Sequence, residues 1–373
     1  MIYLDYSATT PVNKEVLDTF VKVSNDFIGN PNSLHKLGLE SKKIIDSATE
    51  QIKKVLKTDH EIIYTSGASE ANNLALKGIA FRYSNRGNHI ITTSFEHSSI
   101  IAPVSYLQKQ GFKVDMAPIN EFGVVDLEAL KDMITSETIL VSIGAVGSEI
   151  GIKQPIEEIA KLLKEYPNVI FHVDATQAIG KIDIDYNNVD LISMSAHKIY
   201  GIKGIGMLLH KERIELEPLI HGGKSTTKYR SGTPTPALIV SLAKALRLIY
   251  EDFDLKYKHV LELNKYLVSE LKKITGITVN NNEYTIPHIL NISVLGIKPE
   301  TFQHALEEYE IYISTQTACS SGSSVSSAVL AFTNDEERAK SSVRISISYL
   351  TTREEINTLI EKIKIVKEKL SLK

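Results

Sequence analysis

The most informative part of this chain is His172-Val-Asp-Ala-Thr-Gln177, followed downstream by Ser193-Met-Ser-Ala-His-Lys198. Each part ends an apolar run typical of a buried strand, and each run leads to an ionisable residue, Asp174 in the first and Lys198 in the second. A buried carboxylate and a buried amine are both costly unless they are paired or used in chemistry. An aldehyde cofactor such as pyridoxal phosphate uses both, because an amine binds the aldehyde as a Schiff base and an acid keeps the ring nitrogen protonated.

Helix and strand patterns alternate around this stretch, from about residue 35 to residue 210. Apolar strands separated by helices predict an α/β fold, with a mostly parallel sheet flanked by helices. Ligands of such sheets bind beyond the carboxyl ends of the strands, which is where Asp174, Ser195 and Lys198 fall. The strands are predicted at 61–65, 89–93, 138–143 and 169–173, and the helices at 34–57, 69–82, 98–110 and 155–165.

The pattern changes in the second half of the chain. A connection rich in Gly, Pro and Thr covers 215–236, and one long helix is predicted over 237–275. The later elements are a strand at 289–294, a helix at 300–309, a strand at 343–347 and a helix at 353–370. We therefore expect a large cofactor-binding domain over 13–255, and a smaller α+β domain formed by 1–12 and 256–373.

Composition excludes several classes of function. The 42 basic and 45 acidic residues give a net charge of −3 without a basic cluster, so direct nucleic-acid binding is not expected. No apolar run approaches a membrane span and the first residues lack the features of a signal peptide, so we expect a cytoplasmic protein without membrane contact. The single cysteine and the irregular histidine spacing predict no metal site.

Two short segments offer groups for a phosphate and a ring. Thr65-Ser-Gly-Ala-Ser-Glu70 follows a strand and opens a helix, where small residues, hydroxyls and the helix N-terminus favour an anion, although an ordinary helix cap has the same composition. His97 follows the next strand, where its imidazole could stack on a cofactor ring and transfer a proton; a purely structural histidine is the alternative. Further on, Gly201, Gly204 and Gly206 predict tight turns after Lys198.

The C-terminal part adds a thiol and a guanidinium. Cys319 lies in a hydrophilic run of small residues, Thr315-Gln-Thr-Ala-Cys-Ser-Ser-Gly-Ser-Ser-Val-Ser-Ser327, which favours a reactive cysteine over a core residue. Arg344 interrupts the apolar strand Val343-Arg-Ile-Ser-Ile347 and is suited to bind a substrate carboxylate; a surface arginine on an edge strand is the alternative.

Together these motifs resemble the pyridoxal-phosphate cysteine desulfurases of the NifS/IscS type, in the class V aminotransferase family, whose fold is PLP-transferase fold type I. The resemblance runs over nearly the whole chain. It is carried by Tyr3-Leu-Asp-Tyr-Ser-Ala-Thr-Thr-Pro11, Gly29-Asn-Pro-Asn-Ser33, Thr65–Glu70, Phe95-Glu-His97, His172–Gln177, Ser195-Ala-His-Lys-Ile-Tyr-Gly201, Arg230-Ser-Gly-Thr233, Ala318-Cys319 and Ser341-Ser-Val-Arg344.

The resemblance implies a role for each of these residues in a reaction that turns L-cysteine into L-alanine. It implies that Lys198 forms the Schiff base, Asp174 pairs with the ring nitrogen, His97 stacks on the ring and Gln177 contacts its phenolic oxygen. The phosphate would be held by Ala68, Ser69, Ser195 and His197, with Thr233 contributed by the second subunit of a homodimer. Arg344 would bind the substrate carboxylate, and Cys319 would take the sulfur as a persulfide.

The chain departs from the family pattern at three positions. Ser148 replaces an asparagine expected near the substrate carboxylate, 224–229 differs in a segment expected to cross the dimer, and Gln316-Thr317 replaces a common Gly-Ser. The departures at Ser148 and 224–229 leave a low-activity NifS-like paralogue that acts as an interaction partner as one alternative. A selenocysteine lyase, a related enzyme for which the cysteine would matter less, is another. The spacing from Cys319 to Arg344 resembles the long-loop group, which delivers sulfur to proteins. An iron–sulfur scaffold and a sulfurtransferase of tRNA thiolation are both possible acceptors.

Overall fold

The central sheet of the protein contains the seven strands described between residues 61 and 210. The computed structural model describes residues 1–315 and 325–371. Its strands are β1 (Ile2–Tyr3), β2 (Glu61–Thr65), β3 (His89–Thr92), β4 (Lys113–Met116), β5 (Thr138–Gly144), β6 (Ile170–Asp174), β7 (Leu191–Ser195), β8 (Gly206–His210), β9 (Ile277–Val279), β10 (Ile289–Val294), β11 (Ile311–Tyr312) and β12 (Ser342–Ser346).

The order of strands in the central sheet is β2-β8-β7-β6-β5-β3-β4. In this sheet of the described chain, β8 is antiparallel to both of its neighbours and the other pairings are parallel. The prediction of a mostly parallel sheet is confirmed. In a second sheet, β10 lies between β12 and β9 and is antiparallel to both, and a third sheet pairs β1 with β11.

Helices cover the sheets, and apolar residues alternate between the two faces of the central one. Val141, Phe171 and Ile192 belong to one buried cluster, and the preceding residue of each strand belongs to another, as the two-residue period of a strand requires. The helices are α1 (Lys14–Asp26), α2 (Lys36–Leu56), α3 (Ala68–Arg82), α4 (Ser98–Lys109), α5 (Leu127–Met133), α6 (Ile156–Leu163), α7 (Pro236–Tyr250), α8 (Phe253–Leu271), α9 (Pro299–Glu307), α10 (Ser327–Thr333), α11 (Glu336–Lys340) and α12 (Arg353–Ser371).

One helix prediction is wrong. The expected helix over 237–275 is two helices, because Asp252 takes a left-handed conformation (φ 52°) between α7 and α8. The Nζ of Lys256 donates to the carbonyl oxygens of Leu248 (2.6 Å) and Glu251, which satisfies the end of α7.

The C-terminal part has an apolar core of its own, which joins β10 and β12 to α8, α9 and α12. Leu4 belongs to this core although it lies at the other end of the sequence. The assignment of 13–255 and of 1–12 with 256–373 to separate domains stays a prediction. Among the described residues, no helix combines the length and the apolar character needed to cross a bilayer.

Candidate active site

A cleft of about 440 Å³ opens at the carboxyl ends of the parallel strands. Strand β6 ends at Asp174 and β7 at Ser195, and Lys198 lies in the 3-10 turn that follows β7. All three residues line the cleft. The predicted meeting of the carboxylate and the amine beyond the strand ends is therefore found in the structure.

Asp174 is buried and is held by two donors. The backbone N–H of Thr176 donates to its Oδ1 (3.0 Å), and Nδ2 of Asn72 donates to its Oδ2 (2.8 Å). Asn72, on α3, is fully buried, and its Nδ2 also donates to the Ser99 hydroxyl (2.9 Å). Our reading of the sequence missed Asn72, although it lies one helical turn after Ala68 and so on the same side of α3.

His97 is the N-cap of α4, and its Nδ1 faces back into the protein. The Ser99 backbone N–H donates to Nδ1 (3.1 Å) and the Ser99 hydroxyl lies 2.8 Å from the same atom. A neutral ring whose Nδ1 accepts carries its proton on Nε2. Burial lowers the pKa of His97, an effect that Asp174 opposes and Lys198 reinforces. The structure thus brings together His97 and Asp174 through Ser99 and Asn72.

The N-terminal segment closes one side of the cleft. Lys198 Nζ donates to the backbone oxygens of Ser7 (2.6 Å) and Ala8 (2.8 Å). Nε2 of Gln177 donates to the same Ser7 oxygen (2.9 Å). Thr10 adds a further contact, because its hydroxyl donates to the His197 carbonyl oxygen (2.9 Å).

The four residues assigned to a phosphate also line this cleft. Ala68 and Ser69 begin α3, whose first N–H groups have no partner within the helix. Ser195 and His197 come from the end of β7 and the turn after it. Burial lowers the pKa of His197 to about 4, with Lys198 acting in the same direction, so the ring is neutral near pH 7.

Thr233 is the cofactor-binding candidate that lies elsewhere. It is exposed and lines a smaller hollow that adjoins the cleft, since Ser66 and Gly204 line both. Its assignment to the site of a second subunit stays a prediction.

Arg344 is buried, with an exposed fraction of 1%, and the alternative of a surface arginine is wrong. Its backbone pairs with Asn291 on one side and Ser314 on the other, so β12 is covered along both edges at this position. Nη1 donates to the Ser148 carbonyl oxygen (2.9 Å) and Nη2 to Oδ1 of Asp5 (2.9 Å). Each of these nitrogens keeps a second hydrogen.

Glu96 is a second carboxyl group of the cleft. No role was predicted for it from the sequence, although it precedes His97. Its Oε1 accepts hydrogen bonds from the Thr93 hydroxyl (2.7 Å) and the Gly144 backbone N–H (2.9 Å). Burial raises its pKa to about 7, and the charge on Asp174 acts in the same direction. Ser148 lines the cleft as expected, whereas Cys319 lies outside the described residues.

An amine, a carboxylate, a histidine and a helix N-terminus line one cleft, and an enzyme that uses an aldehyde cofactor needs this combination of groups. The family model for aminotransferase class-V matches residues 2–359. The chain is 38% identical over 376 residues to the cysteine desulfurase IscS of Dictyoglomus turgidum, which covers 99% of this chain and 95% of that protein.

Solved structures point to the same group. A NifS-like protein superimposes with a TM-score of 0.92 at 35% identity, covering 100% of both chains. A structure of SspA in complex with cysteine gives a TM-score of 0.82 at 31% identity, covering 94% of this chain and 100% of the other. The chain belongs to the class-V aminotransferases, and within them to the cysteine desulfurases of the NifS/IscS type.

Proposed function

We propose that this enzyme converts L-cysteine to L-alanine and holds the sulfur as a persulfide on Cys319 for transfer to an acceptor protein. The observation that carries the proposal is the convergence of Lys198, Asp174, His97 and Arg344 on one cleft. The relatives named cysteine desulfurase and the SspA structure with cysteine support the choice of substrate.

Pyridoxal phosphate fits the residues that line the cleft. Asp174 offers a carboxylate fixed by two donors, which suits a protonated ring nitrogen. The start of α3 and the Ser195 hydroxyl offer donors for the phosphate, with the amine of Lys198 in the same cleft. When bound, the cofactor supplies an electron sink for the substrate α-carbon.

The side chains around the cleft bind and orient the substrate. Arg344 has one further hydrogen on each Nη, so its guanidinium can receive a carboxylate as a two-point pair. Ser148 takes part through its carbonyl oxygen, which holds Nη1. The replacement of the expected asparagine by serine therefore leaves this main-chain contact in place.

His97 is suited to move a proton within the cleft. Its Nδ1 is engaged by Ser99, which leaves Nε2 for the reacting groups. Burial keeps the ring neutral at neutral pH, so the imidazole can take up a proton and return it.

The sulfur transfer balances without an external oxidant. The thiolate of Cys319 attacks the substrate sulfur, an S–S bond forms and the C–S bond breaks. The electron pair of the C–S bond stays with the substrate carbon. This carbon takes up a proton and becomes the methyl group of L-alanine, which leaves the site. The product on the protein is the persulfide of Cys319.

The test measures alanine release from L-cysteine and the persulfide on the protein. We expect both from the native enzyme and neither from Cys319→Ser, while the visible absorption of bound pyridoxal phosphate is the same in the two proteins. Full activity in Cys319→Ser would overturn the assignment. Persistent turnover of L-selenocysteine in that variant would favour a selenocysteine lyase instead.

We also propose a homodimer, with Thr233 reaching the cofactor site of the partner. Apolar side chains are exposed in the connection between α1 and α2, with Leu34 at 89% and Ile28 at 76%. Solvent-exposed apolar residues gathered in one segment favour a protein interface. Sedimentation should give twice the chain mass, and a monomer for native protein at micromolar concentration would contradict the dimer.

The acceptor is expected to be an iron–sulfur scaffold or a sulfurtransferase of tRNA thiolation, and the location cytoplasmic. Loading Cys319 with sulfur and then incubating it with each purified candidate separates the two. Transfer of labelled sulfur to one candidate and not to the other identifies the acceptor, and transfer to neither excludes both classes.

A further inference from the structure

Lys181 is a buried amine directly behind the cleft. It lies four residues after Gln177 in the turn that follows β6 and has an exposed fraction of 8%. Its Nζ donates to Oε1 of Gln177, and no acidic side chain of the described residues forms an ion pair with it. An amine in such a place is costly and calls for a function.

The contact fixes the orientation of the Gln177 amide at both ends. Oε1 faces the Lys181 amine, and Nε2 donates to the Ser7 carbonyl oxygen at 2.9 Å. The flipped amide would set Oε1 against that carbonyl oxygen, which is a repulsive contact of two acceptors. The second hydrogen on Nε2 therefore remains for a group in the cleft, which Gln177 lines.

The same carbonyl oxygen connects this pair to the amine of the site. Ser7 accepts from both Gln177 Nε2 (2.9 Å) and Lys198 Nζ (2.6 Å), so the chain of contacts runs from Lys181 through Gln177 and Ser7 to Lys198. A hydrogen bond donated to the amide oxygen polarises the amide and strengthens its N–H donors. Burial lowers the pKa of Lys181 well below its ordinary value, with Lys198 and Arg344 acting in the same direction.

We propose that Lys181 is a positioning residue, which holds Gln177 so that its amide N–H faces the cofactor ring oxygen. The inference rests on the proposed function, because it assumes that pyridoxal phosphate binds in the cleft. Lys181 itself lies behind Gln177 and touches neither cofactor nor substrate in this role.

The test is a double-mutant cycle on the affinity of the full chain for pyridoxal phosphate. Lys181→Met should weaken binding about tenfold in the native background, because the Gln177 amide loses the hydrogen bond that fixes its orientation. It should also shift the visible band of the bound cofactor. In the Gln177→Met background the same change should alter affinity less than about twofold, because its effect passes through Gln177.

Two variants separate this role from loss of structure. Lys256→Met is the matched control: this lysine lines the same small hollow behind the cleft, but its Nζ caps α7, so pyridoxal phosphate affinity should not change. Lys181→Gln keeps a donor and should restore most of the affinity lost in Lys181→Met. Thermal unfolding of each variant without cofactor checks that the fold is retained.

The outcomes are distinct. Native protein that binds no pyridoxal phosphate overturns both the proposed function and this inference. Native protein that binds it, together with an equal loss in Lys181→Met in both backgrounds, overturns the inference alone. So does native-like affinity and an unchanged visible band in Lys181→Met.

Discussion

Glu96 and Asp174 are carboxyl groups of the same cleft, but the hydrogen bonds that they accept differ. Asp174 receives one donor on each oxygen, whereas both donors to Glu96 act on Oε1. Burial raises the pKa of Glu96 to about 7, so this carboxyl group titrates close to neutral pH. At the scale of single residues, the site therefore contains a titrating acid that the Phe95-Glu-His97 motif alone did not reveal.

The raised pKa of Glu96 makes stability depend on pH. Its contribution is fully present below the ordinary value of 4.5 and is lost as the pH rises through about 7. We expect the native protein to lose up to about 3 kcal/mol of unfolding free energy over this range relative to Glu96→Gln, which keeps the Oε1 acceptor. Urea unfolding across the pH series measures the difference, and parallel curves for the two proteins would contradict it.

Asn72 should matter more than its neighbour on the same helix. Asn72→Ala removes a donor from Asp174 and another from Ser99, so we expect a loss of about 1–3 kcal/mol in stability and weaker pyridoxal phosphate binding. Asn73→Ala is the control, because Asn73 Nδ2 donates only locally, to the Ser69 carbonyl oxygen (2.9 Å). Equal effects of the two substitutions on cofactor affinity would argue against a role for Asn72.

At the scale of elements, β8 sets the distance between the two halves of the site. Gly206 in β8 pairs with Thr65 at the end of β2 and with Ser195 at the end of β7. The first strand leads to the start of α3 and the second to Lys198. The prediction of tight turns in the glycine cluster holds for Gly204, with φ 90°, while Gly206 permits close packing.

Gly206→Ala should separate these elements. The added Cβ would lie 2.5 Å from the Met194 carbonyl oxygen and 2.6 Å from Cα of Gly67, so the backbone has to shift. We expect a loss of about 1–3 kcal/mol in stability, typical of overpacking, and weaker binding of pyridoxal phosphate. Gly223→Ala, where a Cβ meets nothing within 4 Å, should be neutral in both assays.

At the scale of the whole molecule, the N-terminal segment connects the C-terminal core to the cleft. Strand β1 pairs with β11, Leu4 packs in the C-terminal core, and Ser7 accepts from Lys198. Between Leu4 and Ser7 in the sequence, Asp5 forms an ion pair with the buried Arg344 (2.9 Å from Oδ1 to Nη2). The arginine that we propose binds the substrate is thus held by a residue 339 positions away in the sequence.

Asp5→Asn should therefore destabilise the whole fold. Arg344 would remain buried with its charge uncompensated, and we expect a loss of about 2 kcal/mol in unfolding free energy, less than for a fully buried pair because Asp5 is partly exposed. Asp18→Asn breaks an exposed pair with Lys14 and should change stability by less than about 0.5 kcal/mol. Similar unfolding midpoints for both variants would contradict this role of Asp5.

Apolar periodicity and residue type are local signals, so the sequence predicted the α/β fold and placed β2, β3, β5 and β6 to within one residue of their ends. Strands β4 and β8 of the central sheet were not predicted. The sequence also identified Asp174, Lys198, His97 and Arg344, whose chemistry is unusual for strand ends and apolar strands. The break at Asp252 escaped it, since the apolar pattern continues across that residue.

The contacts between distant side chains follow from the packing of the folded chain. Asn72 reaches Asp174 across 102 positions, and Arg344 reaches Ser148 across 196. Such contacts depend on how the elements that contain Asn72 and Arg344 pack in the folded chain. That geometry is set by the whole core and cannot be predicted from the sequence around each residue. The class of chemistry can therefore be predicted from the sequence, whereas the residues that orient each functional side chain are found only in the folded protein.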